Sequence, residues 1–367
     1  MYLSALSILS YRNLQQVELR LSPNVNCFIG RNGMGKTNVL DAVYFLSFCK
    51  SSTGALDQQC ILHGADYFML QGTYERDAGD RDVITCTAKR GGRKHIKRGE
   101  KDYKRLSEHI GHIPLVMISP ADAALITGGS EERRRLLNQV IAQYDPSYLA
   151  AVMRYQKSLA QRNALLRSDA APDAALMEVV EGLMSDDAER ITTARSAFLS
   201  EFLPIFQRLY ARLCDNDNEH VDICYTTHAT RGALSTLLRD YRERERIVGY
   251  TLHGPHRDDL TLLIDGYPIR REGSQGQSKT FCIAMKLAQY LYLKSRGDKV
   301  TPLLLLDDIF DKLDAGRVAR IVDYVSGDDF SQIFITDTNR DHLDSILSAT
   351  HRDYRLFTVA DGRVSTN

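Results

Sequence analysis

The sequence lacks three features that would place it in a specialised class of protein. It has no apolar run approaching the roughly 18 residues that a membrane-spanning helix needs. Its cysteines are odd in number and form no C-x-x-C pair, which disfavours a disulfide framework or a zinc site and favours reduced core thiols. Its N-terminus lacks the charged and apolar segments of a secretory signal. We therefore expect a cytoplasmic protein without a membrane partner.

The sequence also lacks a net charge, since 47 Lys and Arg balance 47 Asp and Glu. Any nucleic-acid binding must then depend on local patches. The chain has 367 residues, of which 43% are hydrophobic. That length favours two domains over one, and that composition supplies a large core.

The strongest positive signal is the pattern G-x-x-x-x-G-K-[ST] at residues 30–37. An apolar strand is predicted before it at 25–29, and residues 38–48 have helical spacing after it. Glycines allow backbone N–H groups to surround phosphate oxygens, and the helix start adds positive partial charge. We predict a site for ATP or GTP, with Lys36 on the β- and γ-phosphates and Thr37 on Mg²⁺. The predicted nucleotide-binding residues are Gly30, Arg31, Asn32, Gly33, Met34, Gly35, Lys36 and Thr37.

The order of patterns along the chain predicts an α/β domain that is interrupted by a helical lobe. Residues 1–122 and 249–367 alternate strand-like and helical segments, whereas 123–248 are mainly helical. Pro204 is expected to kink or end a helix. In the run Arg133 to Arg135, at most two side chains share a helix face, and we expect one of the three in a buried ion pair.

A second acidic motif follows an apolar run. Residues 303–306 are all leucine, and Asp307 and Asp308 come next. A buried parallel strand delivers such acids to its carboxyl end, beside a phosphate-binding loop. Asp307 would hold Mg²⁺ through water, and Asp308 would polarise the attacking water. Shortly afterwards, Asp314 is a plausible N-cap for a helix.

Ser274, Gln275, Gly276 and Gln277 open an apolar helix. Ser274 can cap that helix, whose free N–H groups form an anion site. An ordinary capped helix is the alternative. The order and spacing are typical of ATPases whose two nucleotide sites form between two heads.

The densest positive cluster lies between Lys89 and Arg105, and the glycines within it predict a β-ribbon. Such a ribbon suits DNA phosphates, although a merely solvated face is an equal alternative. The candidate DNA contacts are Arg93, Lys94, Lys97 and Arg98.

Several segments resemble the RecF family of bacterial recombination mediators, which are head-type ATPases related to SMC proteins and ABC transporters. The resemblance runs from end to end of the chain, and its most specific segment is H-G-P-H-R-D-D-L. The residues themselves explain that segment only as a Gly-Pro turn. The matching segments are residues 6–14, 119–122, 125–129, 133–137, 161–166 and 253–260.

The resemblance implies an ABC/SMC-type P-loop ATPase head that dimerises on ATP and hydrolyses it slowly, as a DNA-stimulated switch. It implies binding to double-stranded DNA and to junctions of single- and double-stranded DNA at gaps. It further implies work with RecR and RecO in loading RecA, in recombinational repair, replication and the SOS response. It assigns a signature that acts across the dimer to Ser274, Gln275, Gly276 and Gln277, a Walker B pair to Asp307 and Asp308, a D-loop to Asp311 and Asp314, and a switch position to Thr338.

The chain departs from the family pattern in two places. Gln275 stands where many members have Arg, and Asp308 stands where most ABC-type ATPases have Glu. The shorter acid is consistent with weak turnover, and no Q-loop residue can be assigned. An ABC-type transport subunit and a small-molecule P-loop kinase are the alternatives, whereas a long-armed SMC-like tether is excluded by length.

Overall fold

The computed structural model describes residues 1–76, 79–168, 173–214, 219–297, 300–310, 315–338 and 353–366. Its strands are β1 (Tyr2–Tyr11), β2 (Leu14–Arg20), β3 (Val25–Ile29), β4 (Tyr67–Glu75), β5 (Arg81–Lys89), β6 (His95–Arg98), β7 (Lys101–Asp102), β8 (Leu115–Ile118), β9 (Val221–Thr226), β10 (Asp259–Ile264), β11 (Tyr267–Pro268), β12 (Leu303–Asp307), β13 (Ile333–Asp337), β14 (Tyr354–Ala360) and β15 (Arg363–Thr366).

The α-helices alternate with these strands at both ends of the chain and dominate its middle. They are α1 (Lys36–Phe48), α2 (Ala124–Thr127), α3 (Ser130–Ile141), α4 (Pro146–Leu166), α5 (Ala174–Leu213), α6 (Leu234–Asp240), α7 (Arg242–Val248), α8 (Ile269–Glu272), α9 (Gln275–Arg296) and α10 (Ala315–Ser326).

An antiparallel sheet has the strand order β2-β1-β4-β5-β6-β7. Its central strands alternate buried and half-buried residues, as in β4, whose pattern gives one face to the core. The opposite face carries polar residues such as Gln71 and Thr85, which hydrogen-bond across the strands.

A second sheet has the order β15-β14-β3-β13-β12-β8, and its strands from β14 to β8 are parallel. β12 and β13 are buried at every position, which is the expected signature of a parallel sheet covered on both faces. Parallel strands end at one edge, so the carboxyl ends of β3, β13 and β12 lie side by side there.

The two sheets belong to one compact unit, made of Met1–Asp122 and Ile283–Asn367. Helix α1 is buried along almost its whole length and contacts strands of both sheets. Its Val39, Leu40 and Phe45 join a continuous apolar core with residues such as Ile8 and Leu305. Burying side chains of this size contributes about 1.5–3 kcal/mol each, and this core fixes the start of α1.

The second unit is Ala123–Cys282. Helices α4 and α5 pack against each other, and a three-stranded sheet of order β11-β10-β9 completes the unit. Asp145 caps α4 by accepting from the backbone N–H groups of Ser147 and Tyr148, as the Asp-Pro pair predicts.

Two sequence expectations for the second unit differ from the structure, and a third is narrowed by it. Strand β9 lies inside the block expected to be helical, and it pairs antiparallel with β10. The compact unit extends to Cys282, whereas the sequence pattern places the end of the lobe at residue 248. Of the two outcomes expected at Pro204, a kink or an end, the structure excludes the end, since Pro204 lies inside helix α5. The whole helix has 40 residues, about 60 Å at 1.5 Å per residue.

Within the described residues, none of the helices has both the length and the hydropathy needed to cross a bilayer.

Candidate nucleotide-binding site

The phosphate-binding loop joins β3 to α1. β3 ends at Ile29 and α1 begins at Lys36. Gly35, directly before the helix, has φ of 114° and provides no side-chain cap. Glycine adopts such a φ at little cost. The first N–H groups of α1, which have no partner inside the helix, therefore point out of its N-terminus and favour an anion there.

The loop is held by two turns that are distant in sequence. A Cβ atom at Gly30 would lie 2.2 Å from the carbonyl oxygen of Val359, so only glycine fits there. Asn13, in the β1–β2 turn, donates from Nδ2 to the carbonyl oxygen of Met34 at 3.1 Å. The backbone N–H of Gly362, in the β14–β15 turn, donates to the same oxygen at 3.3 Å. The sequence pattern indicated neither contact.

Lys36 places its ammonium inside the loop. Its Nζ donates to the carbonyl oxygens of Gly30 at 2.8 Å and Arg31 at 3.1 Å. Burial lowers the pKa of Lys36, and the negative charge of Asp308 opposes that shift. The predicted phosphate-binding cation is therefore at the centre of the loop.

Asp307 meets the loop at the edge of the parallel sheet. Its Oδ1 accepts from the hydroxyl of Thr37 at 2.9 Å and from that of Thr336 at 2.7 Å. Burial raises the pKa of Asp307, although both hydroxyl donors act in the other direction. The structure thus brings together the two predicted magnesium residues, Thr37 and Asp307.

Thr37 and Asp307 fit a magnesium ion because both offer hard oxygen ligands. No group of three or more His, Cys, Asp or Glu that could hold a metal occurs in the described ranges. Mg²⁺ at nucleotide sites takes one or two protein ligands and completes its shell with phosphate oxygens and water, and Thr37 and Asp307 would supply such ligands.

Asp308, the predicted catalytic acid, follows directly after β12. Its φ is 50°, a left-handed conformation that Asp tolerates better than most residues. Its backbone N–H donates to the hydroxyl of Thr336 at 3.0 Å. The same threonine hydroxyl therefore contacts both acids.

Thr336 is a site residue whose role the sequence did not reveal. The family resemblance places the switch position at Thr338, which is exposed just beyond β13. Thr336 lies inside β13, where the parallel register pairs it with Asp307. Because β13 lies between β3 and β12, its last residues lie beside both the strand that leads into the phosphate-binding loop and the strand that leads into the acids. The available signal was the polar Thr-Asp end of an apolar strand.

The predicted signature lies in the second unit, at the start of α9. The hydroxyl of Ser274 accepts from the backbone N–H of Gln277 at 3.1 Å, and the side-chain Oε1 of Gln277 accepts from the backbone N–H of Ser274 at 2.8 Å. This reciprocal pair is a capping box. Gln275 and Gly276, between them, form the first turn of α9. The cap that the sequence predicted is therefore present.

Comparison with known proteins identifies the chain's relatives. Residues 2–364 match the family described as RecF/RecN/SMC N terminal domain. A protein of Phocaeicola vulgatus named DNA replication and repair protein RecF is 54% identical over 365 residues, 100% of this chain and 98% of that protein. A Bacteroides fragilis protein of the same name is 53% identical with the same coverage. The chain belongs to the RecF family.

Solved structures agree with this membership. The recombination mediator protein RecF with ATP, of the RecFOR pathway, has a TM-score of 0.89 at 28% identity, over 100% of this chain and 97% of that chain. The Smc head domain of Pyrococcus furiosus has a TM-score of 0.59 at 16% identity, over 100% and 96%. The second likeness shows the fold alone. Together they confirm the predicted α/β head of the ABC/SMC type.

In this RecF-family chain a buried carboxylate on α1, that of Asp41, anchors the β1–β2 turn, whose Asn13 contacts the phosphate-binding loop. Asp41 accepts from the hydroxyl of Tyr11 at 2.6 Å, from Nε of Arg12 at 2.9 Å and from the backbone N–H of Ser52 at 2.7 Å. The pairing of Arg12 with Asp41 depends on the packing of α1 under β1, which residue spacing alone does not reveal.

Lys94 is fixed by contacts within the chain. Its Nζ donates to the carbonyl oxygen of Cys49 at 2.6 Å and to Asp57 at 2.9 Å, and it lies 5.2 Å from the centroid of the Phe45 ring. These partners favour a structural role for this lysine.

The other candidate DNA contacts lie on or beside the ribbon β5–β6–β7. Arg98 donates two hydrogen bonds to Asp82, at 2.8 and 3.0 Å. Lys97 lies 3.7 Å from Asp102, and both of these side chains are about half exposed. Arg93 is exposed just before β6. The exposed positive charge of the ribbon thus includes Arg93 and Lys97.

The family segment at residues 253–260 forms a buried polar network in the second unit. Asp258 accepts from Arg195 Nη1 at 2.7 Å and from the hydroxyl of Tyr225. Arg133 donates two hydrogen bonds to the half-buried Asp259, at 2.7 and 3.0 Å. The side chain of Arg133 is itself buried, as expected for one arginine of that run. The segment therefore joins β10 to helices α3 and α5.

The predicted D-loop residues Asp311 and Asp314 lie outside the described residues.

Proposed function

We propose that this chain is an ATP-dependent DNA-binding protein of recombinational repair and replication, in which ATP closes a homodimer and slow hydrolysis reopens it. One observation carries the proposal. The hydroxyl of Thr37 lies 2.9 Å from Oδ1 of Asp307, 270 residues later in the chain. This contact unites the phosphate-binding loop with the acid of a hydrolytic site. The names of the relatives, DNA replication and repair protein RecF, support the biological setting.

Each residue at the sheet edge has a task in this proposal. Lys36 and the N–H groups at the start of α1 bind and orient the phosphates. Thr37 and Asp307 would hold Mg²⁺, which, when bound, neutralises charge that develops on the phosphate oxygens. Asp308 orients the attacking water as a general base. The ATP-bound RecF structure supports ATP as the nucleotide.

The proposed dimerisation rests on the signature. The capping box presents the hydroxyl of Ser274 and the N-terminal amides of α9 as an anion site. We propose that this site binds the γ-phosphate held by a second copy of the chain. The dimer then closes only when both phosphate-binding loops hold ATP. Hydrolysis removes the γ-phosphate that joins the two copies.

The DNA-facing partner surface is assigned to the exposed cations of the ribbon, with Arg93 and Lys97 as its first members. The expected ligands are double-stranded DNA and gap junctions, where phosphate density supplies the affinity.

RecR and RecO are the proposed protein partners in RecA loading, because RecF of the RecFOR pathway is a structural relative. The proposed location is the cytoplasm.

The decisive experiment measures mass and turnover together. The parent chain, of 41.4 kDa, is expected to double its mass in light scattering when Mg²⁺ and ATP are added. Gapped DNA is expected to raise its slow ATPase rate. Lys36→Ala is expected to remain at the monomer mass and to lose at least about a hundredfold in ATP affinity, because a charged contact inside a partly buried loop is lost.

Lys157→Ala is the matched control, since Lys157 is an exposed lysine on α4 and its loss should leave mass and turnover as in the parent. A parent chain whose mass is the same with and without ATP would refute the dimer switch.

A further inference from the structure

The side-chain amide of Gln277 makes two hydrogen bonds of opposite sense. Its Oε1 accepts from the backbone N–H of Ser274 at 2.8 Å, and its Nε2 donates to Oε1 of Glu219 at 3.0 Å. An amide offers one acceptor and one donor group, and these two partners use one each. Glu219 therefore fixes which way the amide points, and the amide in turn fixes the cap of α9.

Glu219 is itself held in place. Its second oxygen, Oε2, accepts from the hydroxyl of Tyr210 at 2.7 Å and lies 3.3 Å from the thiol of Cys214. Burial, followed by the hydrogen bond to Glu219, raises the pKa of Tyr210, so its hydroxyl keeps the proton that it donates. Tyr210 also packs edge-on against Phe281 of α9, with ring centroids 6.1 Å apart. The carboxylate is thus supported from α5 and from α9.

The backbone beside Glu219 is anchored to the turn that leads toward the signature. The N–H of His220 donates to Oδ1 of Asp265 at 2.8 Å, and the N–H of Asp265 donates to the carbonyl oxygen of His220 at 2.7 Å. Asp265 lies between β10 and β11, directly upstream of α8 and Ser274. Because the side chain of Glu219 and the backbone of His220 are both fixed, Glu219 can hold the amide of Gln277 in a defined position.

We infer that Glu219 is a positioning residue of the signature, which holds Gln277 so that Ser274 faces an incoming γ-phosphate. The hydroxyl of Ser274 uses an acceptor lone pair for the N–H of Gln277, and that leaves its own proton to donate to an anion. The inference rests on the proposed function, since the anion is the phosphate bound by a second copy.

The test compares Glu219→Ala with Glu219→Gln. The alanine variant removes the acceptor for Gln277, whereas the glutamine variant keeps an oxygen that can accept the same bond. Glu219→Ala is expected to weaken the ATP-induced dimer and to lower kcat about tenfold, the effect of one hydrogen bond to a charged group. Binding of a fluorescent ATP analogue by the monomer and KM should stay within about twofold, since the phosphate loop is untouched. Glu219→Gln is expected to stay within about threefold of the parent.

Two further variants separate positioning from general damage. Tyr210→Phe keeps the buried ring but removes the hydroxyl that orients Glu219, and it is expected to lose about threefold in dimer affinity. Glu272→Ala removes an exposed carboxylate two residues before Ser274, and it is expected to match the parent. Hydrogen exchange of the amides at 275–280 should accelerate in Glu219→Ala and not in Glu219→Gln.

Three results would overturn the inference. They are an unchanged dimer in Glu219→Ala, an equal loss in Glu219→Gln, which would assign the effect to charge, and an equal loss in Glu272→Ala. If the parent chain itself does not dimerise on ATP, the proposed function fails. The exchange measurement needs no dimer, so unchanged exchange in Glu219→Ala would separately refute the positioning role.

Discussion

Two buried carboxylates, one in each compact unit, are held in opposite ways. Asp307, at the edge of the parallel sheet, is 5% exposed, and Asp258, in the second unit, is 1% exposed. Asp307 is hydrogen-bonded by the neutral hydroxyls of Thr37 and Thr336. Asp258 is bonded by the guanidinium of Arg195. The two sites therefore differ in that only Asp258 accepts a hydrogen bond from a charged donor.

The pKa values of the two carboxyls shift in opposite directions as a result. Burial raises the pKa of Asp307, and its hydroxyl donors do not cancel that effect. Burial also acts to raise the pKa of Asp258, but His228, whose Nδ1 lies 3.8 Å from Oδ1 of Asp258, and the charge of Arg195 outweigh it and lower that pKa. A buried carboxylate whose hydrogen-bond donors are neutral would be stabilised further by a bound cation, which suits a ligand site. A buried carboxylate that is already paired with an arginine has a structural role.

The largest expected effect comes from breaking the matched pair. Asp258→Asn leaves the guanidinium of Arg195 buried without a countercharge and should lower the free energy of unfolding by about 3 kcal/mol at pH 7. Urea denaturation measures the change. Asp240→Asn, at an exposed aspartate of α6, is the control and should stay within about 0.5 kcal/mol. A loss below about 1 kcal/mol for Asp258→Asn would show that the pair is not structurally important.

A smaller effect of opposite sign is expected at Asp307. Asp307→Asn removes a buried charge whose burial the nearby charge of Lys36 does not offset, so the nucleotide-free chain should gain up to about 1 kcal/mol of unfolding free energy at pH 7. The same variant should lose Mg²⁺-dependent ATP hydrolysis, because the neutral amide replaces the carboxylate that Mg²⁺ prefers. Urea denaturation and a phosphate-release assay measure the two effects.

The dependence on pH provides a control for both variants. A raised folded pKa means that ionised Asp307 destabilises the folded chain at high pH, so the gain of Asp307→Asn should vanish as the pH falls to about 4. A lowered folded pKa means that Asp258 stabilises the fold above about pH 4. The deficit of Asp258→Asn should therefore persist at that pH and close only below it. A loss of stability in Asp307→Asn at pH 7 would contradict the unmatched-charge explanation.

The sequence was sufficient to predict the parts of the site that depend on local order. The loop, its Lys36 and its Thr37 follow from the spacing of the glycines and the flanking strand and helix. Asp307 follows from an apolar strand that ends in acids, because parallel strands end at one edge. The caps by Asp145 and Ser274 follow from residue type at helix starts.

The missed features depend on tertiary packing between distant residues. The pairing of Asp258 with Arg195 spans 63 residues, and the contact of Thr336 with Asp307 depends on the register of β12 and β13. β9 has six residues, and its pairing with β10 stabilises it more than its own pattern indicates. Pro204 lies inside α5, a helix whose stability comes mainly from its buried face.

The smallest expected effect concerns the positive charges on the ribbon β5–β6–β7. Here too, a charge that is paired within the chain is distinguished from one that is exposed. The double variant Arg93→Ala with Lys97→Ala removes exposed cations, while Lys94 nearby is bound to Asp57 and to the carbonyl oxygen of Cys49. If the two exposed residues contact phosphates, the slope of log affinity for duplex DNA against log salt should become shallower by about 2. Fluorescence anisotropy across a salt titration measures this slope.

Lys94→Ala is the matched control from the same basic run. Because its ammonium is already paired inside the chain, its loss should lower Tm and leave the salt slope unchanged within about 0.3, a third of one phosphate contact. If Lys94→Ala changes the slope as much as the double variant does, a lysine with internal partners also contacts DNA, and matching within the chain does not decide which charges are available to a ligand. If neither variant changes the slope, the ribbon is a solvated face and DNA binds elsewhere on the chain.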